Sequence, residues 1–261
     1  MGSRILASLI FFTRLPWWRL YQVPKEAFEH VVDYWPFIGW LTGGVMAATY
    51  LAVSALGFPL PVAALLAIAA RLLLTGALHE DGLADFCDGF GGGTTRERTL
   101  SIMKDSHIGT YGVIGLILYF ALLWSSLMSL PGTVSAACGA VMILLFDVAA
   151  KCAASLITGQ LPYSRSEAGA KNQVVYLQRS MGDWFLHALR CAVALGLPVA
   201  LCLVTGLSPT LFCVLPTALI VELLLVWWMR HRLGGYTGDC CGALVLLCEL
   251  SLYLALLLVR I

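Results

Sequence analysis

Charge is what this sequence has least of. Only 12% of its 261 residues are Asp, Glu, Lys or Arg, against 60% apolar ones, and the mean hydropathy is +0.87. A soluble domain carries about a quarter charged residues, so that class is excluded. No basic tract is present and the formal net charge is only +1, which leaves no footprint for nucleic acid. The nine cysteines include no pair with the spacing of a zinc site. Six of them (Cys138, Cys152, Cys191, Cys202, Cys213 and Cys248) lie in apolar runs, where cysteine packs as a small hydrophobe. No small-residue cleavage site follows the apolar stretch 5–12, so it reads as a helix lying in the membrane interface rather than a signal peptide. No repeat, linker or composition break divides the chain, and 1–261 is expected to be a single catalytic domain.

What is abundant is apolar runs of membrane-spanning length. Seven are expected, near 36–56, 60–78, 110–130, 133–158, 184–206, 209–229 and 241–260, making an all-α polytopic membrane bundle. The joints alternate. Gly57-Phe58-Pro59, Leu130-Pro131-Gly132 and Gly206-Leu207-Ser208-Pro209 carry no charge. Connections 1–35, 79–109, 159–183 and 230–240 hold twelve of the sixteen Lys and Arg residues, with Arg260 alone on the other face. Positive charge marks the cytoplasmic side, so the charged face and the N-terminus are expected there.

Three carboxylates are concentrated in Asp81-Gly82-Leu83-Ala84-Asp85-Phe86-Cys87-Asp88. On a helix they stand at i, i+4 and i+7, within about 60° of one another. Like charges on one stripe repel unless cations lie between them, and hard carboxylate oxygens suit Mg²⁺ or Mn²⁺. A solvated acidic helix is the plainer alternative. The glycines Gly89 to Gly93 read as a sharp turn, introducing a helix from about Thr95 to Asp105.

A second constellation is Lys104-Asp105-Ser106-His107-Ile108-Gly109-Thr110-Tyr111-Gly112. Amides around Gly109 and Gly112, at the start of a span, could cradle an anion with Lys104 neutralising it. Asp105 could join the metal set, although a capped turn explains the same residues. A third, Gly234-Gly235-Tyr236-Thr237-Gly238-Asp239, is glycine-dense and lies on the same face. Within the spans, Asp147 and Lys151 stand at i, i+4 and are either an ion pair or the lining of a site. Arg71, Glu222 and Glu249 have no partner assignable from sequence. His79 stands out among the histidines because Asp81 follows two residues later.

Carboxylate-held metal at a membrane face suits displacement at a diphosphate. Rival classes are a CDP-alcohol phosphotransferase, a prenyltransferase and an ion transporter. A transporter would place several acids near the midplane, whereas the densest acids here lie in a loop.

The run from His79 to Gly89 resembles the signature of the cobalamin synthase family, the adenosylcobinamide-GDP ribazoletransferases. Arg96-Glu97-Arg98 and Ile102 to Gly112 continue that likeness, as do Phe12 to Pro16, Gly234 to Asp239, and Glu249. Glu80 departs from it, because relatives carry an apolar residue there. The resemblance implies transfer of the α-ribazole (or α-ribazole 5′-phosphate) 3′-hydroxyl onto the cobinamide-linked phosphate, releasing GMP, with Mg²⁺, at the bacterial inner membrane. It implies Asp81, Asp85, Asp88, Asp105 and Asp239 as metal ligands, with Asp105 alternatively the base. Lys104, Lys151, Gly109 and Gly112 would then meet phosphate. The sequence leaves a homo-oligomer open.

Overall fold

The computed structural model describes residues 2–130, 135–164, 176 and 179–259. Outside them fall Pro131 and Gly132 of one expected turn, as well as Arg165, Lys171 and Arg260. The described residues form eleven α-helices and no named strand. α1 (Gly2–Phe12) packs against a 3₁₀ segment, Lys25–Tyr34, that runs directly into α2 (Trp35–Ala55). Ser8 of α1 donates to the Val31 carbonyl of that segment at 3.0 Å. The remaining long helices are α3 (Leu60–Thr75), α4 (Leu78–Gly92), α6 (Thr110–Ser129), α7 (Ala136–Ala154), α9 (Met181–Val204), α10 (Leu215–Leu233) and α11 (Gly238–Leu258). α5 (Arg96–Ile102) and α8 (Ile157–Gln160) are short.

Six helical stretches are long and apolar enough to cross a bilayer, and the bent pair of α3 and α4 would make a seventh. The chain is a multi-pass membrane protein. α7 and α11 are mostly buried and form the centre. α2, α3, α6, α9 and α10 surround them and turn leucines outward, Leu73, Leu118, Leu189 and Leu223 among them. That is the surface a hydrocarbon solvent selects.

Three expectations are corrected. The second apolar run is not one straight span over 60–78. It stops at Thr75, and the chain bends by 91° into α4. Gly76 (φ 66°) and Ala77 (φ 56°) take consecutive left-handed conformations, which ends one helix and aims the next across it. Gly89 to Gly92 are not a turn but the last residues of α4, which closes at Gly93. α5 is correspondingly shorter than 95–105, because Met103 caps it and the chain leaves the helix before Asp105.

Inside the bundle the spans are tied by charge. Arg71 on α3 donates to both oxygens of Glu249 on α11, at 2.6 and 2.7 Å, and to the Tyr119 hydroxyl on α6 at 2.8 Å. Its guanidinium also stands 3.7 Å from Asp147 on α7. Asp147 pairs with Lys151 one turn along and accepts from Thr42 of α2 at 3.0 Å. Two cations and two anions from three helices thus neutralise one another where water is absent.

Candidate active site

α4 lies against α11, and the reason is a pair of glycines. A methyl group at Gly82 would sit 2.9 Å from the Asp239 carbonyl oxygen. One at Gly242 would sit 2.8 Å from the His79 carbonyl oxygen and 3.2 Å from Gly82 Cα. Only hydrogen allows that approach. It brings Asp81, beside Gly82, and Asp239, in the first turn of α11, to the wall of one cavity. Thr237 caps α11 by accepting from the Cys240 amide at 3.3 Å. Tyr236 exchanges backbone hydrogen bonds with Pro162 and Ser164, pinning the approach to that helix.

Asp81 is exposed and borders two clefts. The smaller, of about 120 Å³, is lined by Asp81, Asp239 and His79 together with several aromatic rings. The wider, of about 700 Å³, runs past Thr13, Arg14, Thr75 and Glu80, with Ile108 at one edge. Glu80 is 4% exposed, and its Oε2 has no hydrogen-bond partner in the described structure.

The sequence-derived set divides here. Asp81 and Asp239 share a cavity wall. Asp85 is half-buried one turn further along α4. Asp88 is buried and turned toward the start of α6, accepting from the Gly109 amide at 2.7 Å and the Gly112 amide at 2.8 Å. One carboxylate therefore caps α6 with both oxygens. The two amides expected to cradle phosphate are taken by Asp88. Asp105 is exposed on the loop before α6, where the His107 amide and ring nitrogen contact it at 3.0 and 2.7 Å. These contacts, the ring's first, hold its carboxyl below the usual carboxylate range, which makes it a weaker base. Lys104 is exposed on the same loop. Lys151 is buried inside the bundle and engages Asp147, and it borders neither cleft. The ion-pair reading of Lys151 is the one its surroundings match.

Among the described residues, no three His, Cys, Asp or Glu side chains converge as a ready-made metal cage. Mg²⁺ rarely needs one. It keeps several waters and is held by one or two carboxylates together with substrate phosphates. Two hard-oxygen side chains on the wall of one cavity, Asp81 and Asp239, fit that requirement.

Sequence reasoning missed two features. Arg71 and Glu249 partner each other across 178 positions of chain. Their opposite signs inside separate spans were a usable signal, since lone membrane charges seek partners. The aromatic wall of the small cavity had no such signal, because Phe11, Trp35, Tyr163 and Tyr176 come from separate segments.

A bent helix carrying an acid to the border of two clefts, on a membrane bundle, is an arrangement that suits a membrane-embedded enzyme. Comparison with known proteins makes the class specific. The family model described as cobalamin-5-phosphate synthase matches residues 4–257. The chain belongs to that family, whose members make cobalamin. Relatives named adenosylcobinamide-GDP ribazoletransferase include one from Shewanella amazonensis, 38% identical over 97% of this chain and 94% of its own length. The one from Leptothrix cholodnii is 37% identical, covering 95% and 92%. That from Shewanella piezotolerans is 36% identical, covering 97% and 94%. No solved structure matches.

Proposed function

We propose that this chain joins adenosylcobinamide-GDP to α-ribazole, or its 5′-phosphate, giving adenosylcobalamin, or its 5′-phosphate, and GMP. Relatives named adenosylcobinamide-GDP ribazoletransferase match nearly the whole chain, which supports this reading. The observation that supports the reading most is Asp81, an exposed carboxylate bordering both clefts. A reaction between two substrates at a diphosphate needs such a meeting point.

In this reading Asp81 and Asp239 hold Mg²⁺, with Asp85 one turn away. When bound, the ion would offset the diphosphate charge and make the attacking hydroxyl more acidic. The ribose 3′-oxygen forms its bond to the phosphorus carried by cobinamide. The bond from that phosphorus to the bridging oxygen breaks, GMP leaves with the electron pair, and the hydroxyl proton passes to solvent. Arg14 in the wide cleft, and Lys104 on the loop at its rim, meet the negative charge of the diphosphate. Asp88 fixes the start of α6 and so the position of that loop. Thr13 and Glu80 line the route by which the larger substrate enters.

The enzyme is assigned to the bacterial inner membrane with α4 toward the cytoplasm, on the excess of Lys and Arg in the connections of that face. Purified protein given adenosylcobinamide-GDP, α-ribazole and Mg²⁺ should release GMP in step with cobalamin formation. GMP appearing without α-ribazole, or not at all, would sink the assignment.

A further inference from the structure

Away from both clefts, a groove of about 420 Å³ runs between α7, α9 and α10. Alanines, leucines and the Trp184 ring make up most of its lining, and among the described residues no Asp, Glu, Lys or Arg joins them. Ala188, Ala192 and Leu219 along it are exposed on two of the spans, so the groove faces lipid. Set into this lining are Cys152 of α7 and, from α9, Cys191 and His187. Both cysteines are free thiols, and they stand within hydrogen-bonding reach of each other. The Cys152 sulfur also lies 3.9 Å from the Cys191 carbonyl oxygen. His187 is 1% exposed, and its Nε2 is 3.5 Å from the Cys191 sulfur. Ser155 decides which ring nitrogen carries the hydrogen. Its hydroxyl donates to the Cys152 carbonyl at 2.8 Å, so toward His187 Nε2, 2.9 Å away, the same oxygen accepts. The Nε2–H that results also faces Cys191. A donor there supports the negative charge that sulfur carries as it attacks.

Two thiols from different helices, meeting in an apolar groove that faces lipid, are placed for an oxidant that dissolves in the bilayer. A charged oxidant finds no ionised group there to offset its loss of water. We propose that Cys152 and Cys191 are a dithiol that a membrane-dissolved quinone, seated in this groove, closes to a disulfide. The Cys191 sulfur bonds to a ring carbon of the quinone. The Cys152 sulfur then attacks the Cys191 sulfur, the carbon–sulfur bond breaks, and its electron pair leaves with the ring. The quinone has then taken up two electrons and both thiol protons. It departs as hydroquinone, and one S–S bond joins α7 to α9. No part of this step uses Asp81, Asp239 or either substrate of the transfer, so its failure and that of the reaction proposed above are separate events.

The test mixes the detergent-purified full chain, reduced and then freed of reductant, with decylubiquinone in the absence of oxygen. Hydroquinone and remaining thiols are counted, and the linked peptides are mapped by mass spectrometry. Each chain should yield one hydroquinone and lose two thiols, with Cys152 joined to Cys191. Cys152→Ala and Cys191→Ala should each abolish both the link and the hydroquinone. His187→Phe keeps a ring and deletes the donor, and it should slow closure about tenfold, in line with one hydrogen bond to a charged sulfur. Ala192→Trp narrows the groove. It should slow closure by the quinone several-fold while leaving closure by water-soluble diamide unchanged. Melting temperatures matching the unaltered protein separate lost chemistry from lost fold, and Ala192→Trp stands in if His187→Phe fails that check. Thiols that stay free in both reagents, or a quinone-formed bridge between other cysteines, overturn the dithiol. A pair that diamide closes and the quinone does not overturns the quinone as its oxidant.

Discussion

Two groups of charged residues lie within this bundle, and they are organised in opposite ways. The quartet of Arg71, Glu249, Asp147 and Lys151 is buried, balanced in sign, and borders neither of the two clefts. Asp81 and Asp239 have the same chemistry as Asp147 and Glu249, but they stand on the wall of a cavity. Acids and cations that meet each other inside a membrane protein hold helices together. Acids presented to a cavity are placed for something that enters it. The contrast separates framework from site better than the residue types do, since Lys151 and Asp81 both read as site residues in sequence.

The largest expected effect belongs to the cavity. Asp81→Asn should cut GMP release by about 10³-fold or more, because an amide cannot hold the cation that offsets diphosphate charge. Its melting temperature should barely move, and a variant with ordinary turnover would erase the distinction between the two groups.

The framework should respond the other way round. Glu249→Leu leaves Arg71 as a buried cation without its bidentate partner, a loss of about 3–5 kcal/mol of stability. The double replacement Arg71→Met with Glu249→Leu should regain most of it. Unfolding in detergent reads this as a double-mutant cycle, and simple additivity would mean that the pair is not a unit.

Lys151→Met sharpens the comparison further. It should lower stability through Asp147 while leaving the KM for adenosylcobinamide-GDP unchanged. Arg14→Gln should raise that KM by several-fold with little effect on melting. An exchange of these two outcomes would return Lys151 to the phosphate.

The smallest effect is expected at Asp105. Asp105→Asn should change turnover by no more than about threefold near neutral pH, since His107 holds an exposed carboxyl away from proton transfer. That carboxyl is depressed on folding. Its contribution is therefore complete above the ordinary carboxylate pKa of about 3.9 and is lost only as pH falls toward its lower folded value. The parent should exceed the variant in stability by a constant margin from pH 7 to 5, and that margin should close only in acid. A margin that changes between pH 7 and pH 5 would contradict that assignment.

Much of this was legible in the sequence. Apolar run lengths gave the bundle, and the spacing of Asp81, Asp85 and Asp88 gave one helix with one acidic stripe. Periodicity could not say that the end of that stripe meets another helix. Asp88 is therefore spent on the Gly109 and Gly112 amides, whereas Asp81 borders the two clefts. The bend at Gly76 and Ala77 was hidden because hydropathy continues across it while the backbone changes hand. Asp239 entered the metal set only through the family resemblance, since its glycine-rich neighbours say little by themselves. Its place beside Asp81 depends on Gly82 and Gly242, which lie 160 positions apart and carry no chemistry of their own.

The claim on which the rest depends is that the α4 and α11 carboxylates hold a divalent ion together with the diphosphate. Mn²⁺ bound by the detergent-purified protein, with adenosylcobinamide-GDP present and α-ribazole withheld, can be counted from its electron paramagnetic resonance signal. The account predicts substrate-dependent Mn²⁺ binding in the unaltered chain that disappears when Asp81→Asn and Asp239→Asn are combined. Equal binding in both proteins would contradict it.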